Sequence, residues 1–403
     1  MAKQDDTLNI DATEQELNKR TIALDTEISD IERDSTPMVT PKEFDTNLAM
    51  ELANLIQVAY RDYELFEAKD KCSEQLLQPG TYFCLDHRDC AKASSYSILY
   101  SDKAEDPPGA YKVLDIFYYT SYNFLRLISE VFKPNTSRYG FIAKRGNNIY
   151  VVLRGTRELA EWVNNSQYAL VPFLTNEHTT DDSPLLRIHS GYCKMYTNQH
   201  LGPFRGHRIL NSIFSLPGKA FRALSNKCAG QGSPNNYSSM HNAIQNRIDC
   251  LESTRFSGEI IVTGHSLGGA LASIAALHIG HSSHYRPHVY TFASPRVGNT
   301  EFTRHFRLRV NTSFRIANTE DIVPTLPTAT LRLRRHSLSV RSQVLYNKVK
   351  NLIAHERDLN CYEHLGSPAI FTFQAGNLTS NHSMSGVYSN AMQGALDRES
   401  QKQ

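Results

Sequence analysis

Ile260-Ile261-Val262-Thr263-Gly264-His265-Ser266-Leu267-Gly268-Gly269 is the stretch on which the reading of this chain turns. Its apolar, β-branched opening, Ile260-Ile261-Val262, predicts a strand. Residues 270–277, rich in helix formers, predict a helix directly behind it. The serine between them stands on a sharp turn. Gly264 and Gly268 answer the tightness of that turn, which leaves no room for Cβ atoms close to Ser266. The helix start behind Ser266 also brings backbone N–H groups and a positive dipole end to its hydroxyl. Gly264, His265 and Gly268 around Ser266 therefore read as a nucleophile elbow.

Working outward, the same alternation continues. Residues 241–251 read as a helix before the elbow strand, and residues 288–292 and 313–317 as strands beyond the elbow helix. Upstream, residues 141–144 and 149–153 read as two strands joined by Arg145-Gly146-Asn147-Asn148, a hairpin signal. Residues 44–60 carry Leu48, Leu52, Leu55 and Ile56 at helical spacing. The Cys- and Pro-containing segment between that helix and Phe141 reads as loop-rich. Strands alternating with helices imply an α/β fold whose mainly parallel central sheet is covered by helices on both faces, the α/β-hydrolase arrangement when a G-x-S-x-G turn follows a strand.

A serine hydroxyl needs a base, and the base needs a carboxylate to hold its tautomer. In this fold class the order along the chain is serine, acid, histidine. Asp321 follows the strand around residues 314–317, so it falls at a strand's carboxyl end, with Glu320 its nearest competitor. His336, His355, His364 and His382 are the histidines from there on. His336 and His355 lie in an Arg/Lys-rich stretch. Chemistry alone places His382, on a loop beyond the last strand, ahead of His364 without excluding the latter. Oxyanion donors are expected from the N–H of Leu267 and from Thr156, where the run Val151-Val152-Leu153-Arg154-Gly155-Thr156 ends a strand.

Composition narrows the class. The chain has 403 residues with 40% hydrophobic content, enough for one large core. It lacks an apolar run long enough to span a bilayer and an h-region near residue 1, so a cytoplasmic location, with peripheral attachment to an internal membrane, is expected. Its 7 cysteines form no C-x-x-C pair, and Cys72, Cys84 and Cys90 fit no zinc-ligand spacing well. Residues 1–45 hold 12 acidic and 5 basic side chains and read as an acidic leader, mobile or weakly helical. Residues 46–395 are expected to form a single domain.

Several further blocks resemble the class 3 lipases, the family of fungal triacylglycerol lipases and plant phospholipase A1 and galactolipase enzymes. They are Arg154-Gly155-Thr156 with Trp162, His189-Ser190-Gly191-Tyr192, Thr263 to Gly269, Phe292-Ala293-Ser294-Pro295-Arg296-Val297-Gly298, Asn318 to Pro327, Tyr362-Glu363-His364-Leu365-Gly366, and His382-Ser383-Met384 with Tyr388. Together they cover residues 140–390. The resemblance implies Ser266 as nucleophile, Asp321 as acid and His382 as base, with Thr156 and Leu267 around the oxyanion. It implies that His364 orders a loop. It implies an ester hydrolase acting on glycerolipids without metal or organic cofactor. Trp162, Tyr168, Leu170, Val171 and Phe173 fall where the family carries a lid.

Residues 201–236 and 331–350 read as insertions. The second, with Arg332, Arg334, Arg335 and Arg341, suits an anionic membrane surface, and no nucleic-acid module accompanies the charge. Two other functions fit the same residues: a lipase-like scaffold or signalling protein without catalysis, and an esterase for small soluble esters such as feruloyl esters.

Overall fold

The computed structural model describes residues 35–68, 76–85, 96–99, 107–121, 135–156, 170–173, 186–197, 239–327 and 362–401. Its first half contains β1 (Ser35–Val39), α1 (Thr46–Glu67), β2 (Tyr82–Leu85), β3 (Tyr96–Leu99), β4 (Tyr111–Ser121), β5 (Asn135–Arg145), β6 (Asn148–Leu153), β7 (Leu170–Pro172), β8 (Arg187–His189) and α2 (Ser190–Thr197). The second contains α3 (Met240–Ser253), β9 (Ile260–His265), α4 (Leu267–Ser282), β10 (His288–Phe292), β11 (Gly298–Asn299), α5 (Thr300–Arg309), β12 (Thr312–Asn318), β13 (Tyr362–Glu363), β14 (Ser367–Phe373), α6 (Leu378–Asn381) and α7 (Ser389–Ser400).

Ten strands form one sheet in the order β1-β14-β12-β10-β9-β6-β5-β4-β2-β3. The central five, β14 to β6 in that order, run parallel. The flanking strands pair antiparallel. The parallel character read from the alternating pattern thus belongs to the middle of the sheet, where crossover helices connect the strands. A smaller sheet, β13-β11-β8-β7, lies beside it.

Alternation along the strands feeds two cores. Val151, Val262 and Val289 pack with apolar residues of α3, α4 and α5 on one face. Val152, Ile261 and Ile316 pack with α1 and α7 on the other. α4 is buried from Leu267 through Gly280, as its nearly uniform apolar surface requires. α1 begins where the Asp45 side chain accepts the Leu48 N–H, and it lays Leu52, Leu55 and Ile56 on the sheet.

Three expectations change. Residues 35–45 are not wholly leader: Ser35–Val39 pairs with β14 at the sheet edge. The segment read as loop-rich contains β2, β3 and the long β4. The Tyr/Val/Ile/Phe-rich run of β4 is itself a strand signal, outweighed in the reading by the cysteines and prolines around it. Leu170 and Phe173, expected in a lid, are core residues: both are buried, and Phe173 packs edge-on to Phe302 of α5. Val171 lies between them, while Trp162, Tyr168 and the arginines at 332, 334, 335 and 341 lie outside the described residues. No helix of the described residues is long and apolar enough to cross a membrane.

Candidate active site

β9 runs into α4 through Ser266, whose φ of 58° and ψ of −128° lie where side chains are rarely found. The conformation is held from both sides. The Ser266 N–H donates to the Phe292 carbonyl at 2.8 Å, and the Ser266 carbonyl accepts from Gly269 N–H at 2.9 Å. A Cβ on Gly264 would collide with the Gly268 backbone, and one on Gly268 with the backbone at the end of β6. The two glycines therefore let strand, helix and β6 approach one another as well as permitting the turn.

The end of β6 is clamped against this elbow. A Cβ on Gly155 would fall 2.7 Å from the Ser266 Cβ. The Gly155 N–H donates to Tyr60 Oη at 3.0 Å, and its carbonyl accepts from Arg154 Nη1 at 2.5 Å. The Arg154 guanidinium is buried between the rings of Tyr63 and Tyr139, 3.5 and 4.4 Å from their centroids, and donates through Nε to the Arg138 carbonyl at 2.7 Å. Its charge is thus met by π faces and carbonyl dipoles. Thr156 follows Gly155 and is partly exposed.

Asp321 follows β12 as expected, and its side chain is fully buried. It accepts three hydrogen bonds: from His382 Nδ1 and Tyr388 Oη at 2.7 Å each, and from the Val323 N–H at 2.9 Å. Such a set of donors offsets the cost of taking a carboxylate out of water. Tyr388 stays a protonated donor, because burial first and the Asp321 charge second push its phenol well above the ordinary range. Tyr388 Oη in turn accepts from the Asn318 N–H at 3.1 Å.

His382 caps α6. With Nδ1–H donated to the carboxylate, Nε2 carries the lone pair. That Nε2 is buried and has no hydrogen-bond partner among the described residues. The loop is laced to β12 through Asn318, whose Nδ2 donates to the Asn381 carbonyl at 3.1 Å, and through Asn381 Nδ2, which donates to the Glu320 carbonyl at 3.1 Å.

His265 joins these parts. Its Nε2 lies 3.0 Å from the His382 carbonyl, which only accepts, so Nε2 carries the proton. Nδ1 then accepts from Tyr60 Oη at 2.8 Å. Burial, reinforced by the neighbouring His382, holds the His265 imidazole well below the usual histidine range. Both ring nitrogens are engaged, so His265 is a strut between α1, the elbow and the His382 loop, its ring 4.7 Å from that of His382.

The structure thus brings Asp321 and His382 into direct contact and seats their loop on the elbow residue beside Ser266. His364, the alternative base, lies past β13 with its Nδ1 buried and without a hydrogen-bond partner among the described residues. His189 accepts the Gly191 N–H at 3.1 Å and stacks on Tyr192, and burial pushes it down to about 4. Tyr60, Tyr63 and Asn381 had no sequence signal pointing to the site, and Asn318 stood inside a recognised block with no role attached. Only the partners of their polar atoms reveal them. Tyr388 and Arg154 stood inside recognised blocks, but with no role attached.

Similarity to known proteins falls on the segment that contains the elbow. Residues 150–331 match the family model described as Lipase (class 3). The chain is 37% identical over 130 residues to Lipase ZK262.3 of Caenorhabditis elegans, covering 31% of this chain and 36% of that protein. It is 29% identical over 241 residues to Phospholipase A1-II 3 of Oryza sativa subsp. japonica, covering 56% of this chain and 50% of that protein. It spans half or less of the length of these curated relatives. Among solved structures, a Rhizomucor miehei lipase propeptide complex superposes with a TM-score of 0.42 at 14% identity, over 89% of this chain and 80% of that one.

Proposed function

We propose, from the match of residues 150–331 to the class 3 lipase family model, that this protein is a serine carboxylester hydrolase releasing fatty acid from glycerolipids. The observation that carries the proposal is the buried Asp321–His382 pair, set beside the elbow with His382 Nε2 left to take a proton.

In the proposed reaction Ser266 Oγ attacks the ester carbonyl carbon while its proton passes to His382 Nε2. Asp321 holds the resulting imidazolium through Nδ1–H. The carbonyl oxygen becomes an oxyanion facing the N–H groups of Thr156 and Leu267. Leu267 opens α4, and the first N–H groups of a helix have no acceptor within it. Collapse breaks the ester C–O bond, and the alcohol leaves with the proton from His382. Water, deprotonated by the same Nε2, then attacks the acyl-enzyme and frees the acid. Each oxyanion donor of this kind contributes about 3 kcal/mol to barrier lowering. The strut from Tyr60 through His265 to the His382 carbonyl supports the reading, since it fixes the base loop and the oxyanion segment to one helix.

The test is release of fatty acid from dispersed diacylglycerol and phosphatidylcholine, beside a short-chain soluble ester. The proposal expects turnover of a long-chain glycerolipid, lowered about 10⁴-fold or more by Ser266→Ala. Turnover confined to the soluble ester would replace the lipid reading with a small-ester one. Absence of Ser266-dependent turnover on all three would leave a non-catalytic scaffold.

A further inference from the structure

Gly155 creates a difficulty for the site that Arg154 resolves. A Cβ at Gly155 would fall 2.7 Å from the Ser266 Cβ and 2.9 Å from the His265 carbonyl oxygen, so glycine is what lets the end of β6 lie against the elbow. Glycine also leaves the backbone on either side of it free to rotate. The peptide that follows it, Gly155 C=O with Thr156 N–H, is the one whose N–H faces the oxyanion in the hydrolase reading. Turned over, it would present a carbonyl oxygen to that anion.

Both peptides flanking Gly155 are held. The preceding one is fixed through its N–H, which donates to Tyr60 Oη at 3.0 Å. The following one is fixed through its carbonyl, which accepts from Arg154 Nη1 at 2.5 Å. That guanidinium has little freedom of its own. Arg154 is only 2% exposed. The rings of Tyr63 in α1 and Tyr139 in β5 lie 3.5 and 4.4 Å from it, and its Nε donates to the Arg138 carbonyl of β5 at 2.7 Å. In the sheet, β6 runs between β5 and β9. The guanidinium therefore belongs to the β5 side of β6, and the elbow to the β9 side. The Gly155–Thr156 peptide is trans, so its N–H points opposite to its carbonyl. Drawing the carbonyl to the guanidinium turns the N–H towards β9 and the first turn of α4, which Leu267 opens.

We propose that Arg154 is a positioning residue for the oxyanion site, its Nη1 locking the Gly155–Thr156 peptide so that the Thr156 N–H joins that of Leu267. The inference rests on the hydrolase reading and deepens it. Arg154 acts through the peptide and not on the reacting atoms. Its charge also polarises the bonded carbonyl, which strengthens the N–H at the other end of the same peptide as a donor. Arginine suits the place because a planar guanidinium stacks between two rings while donating from Nε and Nη1 at once. Lysine keeps the charge but has no such fork.

The test compares full-length wild type with Arg154→Met and Arg154→Lys, both checked for folding by circular dichroism. Ester turnover is measured beside inhibition by a long-chain trifluoromethyl ketone. Ser266 Oγ adds to the ketone carbon, its proton passes to His382, and the ketone oxygen becomes an oxyanion in the same place as the substrate's. Arg154→Met should lower kcat about 10²-fold with KM changed by no more than about twofold. The inhibition constant should rise in step with the fall in kcat/KM. The acid limb of the pH profile of kcat/KM, which reports His382, should not move. Arg154→Lys should fall as Arg154→Met does. General loosening of the site would shift KM and the acid limb as well, and that result overturns the proposal. So do wild-type kcat and inhibition in Arg154→Met, or full activity in Arg154→Lys. If neither variant folds, 15N relaxation of the Thr156 amide in free wild type decides. An order parameter of about 0.85 without microsecond-to-millisecond exchange is expected, and exchange from a turning peptide overturns the proposal. Wild type without Ser266-dependent turnover defeats the hydrolase reading itself, while the relaxation measurement still shows whether the peptide is held.

Discussion

Ser266 carries backbone strain that its neighbours enforce. A non-glycine residue at φ 58° and ψ −128° costs about 1–3 kcal/mol, sustained here by bonds to Phe292 and Gly269. Ser266→Gly should therefore be more stable than Ser266→Ala by about 1 kcal/mol in urea unfolding, with both variants inactive on esters. Equal stabilities would mean that the turn is relaxed. Tyr60 lends itself to an equally local prediction. Its hydroxyl accepts from Gly155 and donates to His265 without touching the reacting atoms. Tyr60→Phe removes both hydrogen bonds and should lower kcat about tenfold or more, leaving KM nearly unchanged. A change in KM alone would place Tyr60 in substrate binding instead.

At the scale of elements, α1 is the brace that binds both halves of the site, although it precedes the segment matched to the lipase family. Besides Tyr60 and Tyr63, it supplies Asp62, buried against Arg138 at 2.8 Å and accepting the Leu77 N–H at 2.9 Å. Removing one partner of such a pair strands the other. Asp62→Asn should cost about 3 kcal/mol in denaturant unfolding. A cost below about 1 kcal/mol would show that the pair is replaceable. The legibility of these elements in the sequence was uneven, for physical reasons. β9 announced itself because a strand buried on both faces opens on a continuous apolar, β-branched run, and β10 and β12 were marked by the apolar and aromatic residues at their centres. The elbow announced itself because only glycine tolerates such close backbone approach. Asp321 and His382 were legible through order along the chain and resemblance, since the contact between them spans 61 residues that no periodicity connects. The aromatic contacts of α1 were hidden because a tyrosine at helical spacing reads as core whether or not its hydroxyl is employed.

Across the whole molecule, several imidazoles are buried in neutral form. Burial pushes His278 down to about 3, and its ring lies between Tyr196 Oη at 2.8 Å and Gln245 Oε1 at 3.0 Å. His189 is held at about 4, and His265 well below its ordinary value. In the unfolded chain the same rings titrate near pH 6.5. Their folded pKa values are depressed, so the unfolded state binds more protons once the pH falls below about 6.5. The stability they contribute is complete above that pH and is lost progressively as the pH drops towards 4 and 3. Unfolding free energy should fall between pH 6.5 and 4.5 by about 1 kcal/mol per pH unit for each such ring. His278→Gln should flatten that slope in a pH series of urea melts, whereas an unchanged slope would remove His278 from the account.

The central claim is that Ser266 is made nucleophilic by His382, held in turn by Asp321. The most direct measurement is mass-spectrometric mapping of a fluorophosphonate adduct on the full-length protein. The account predicts an adduct on Ser266 in wild type, and labelling slowed at least about 10³-fold in His382→Ala with the fold intact. An unmodified Ser266 in folded wild type, or equal labelling rates in the two proteins, would contradict it.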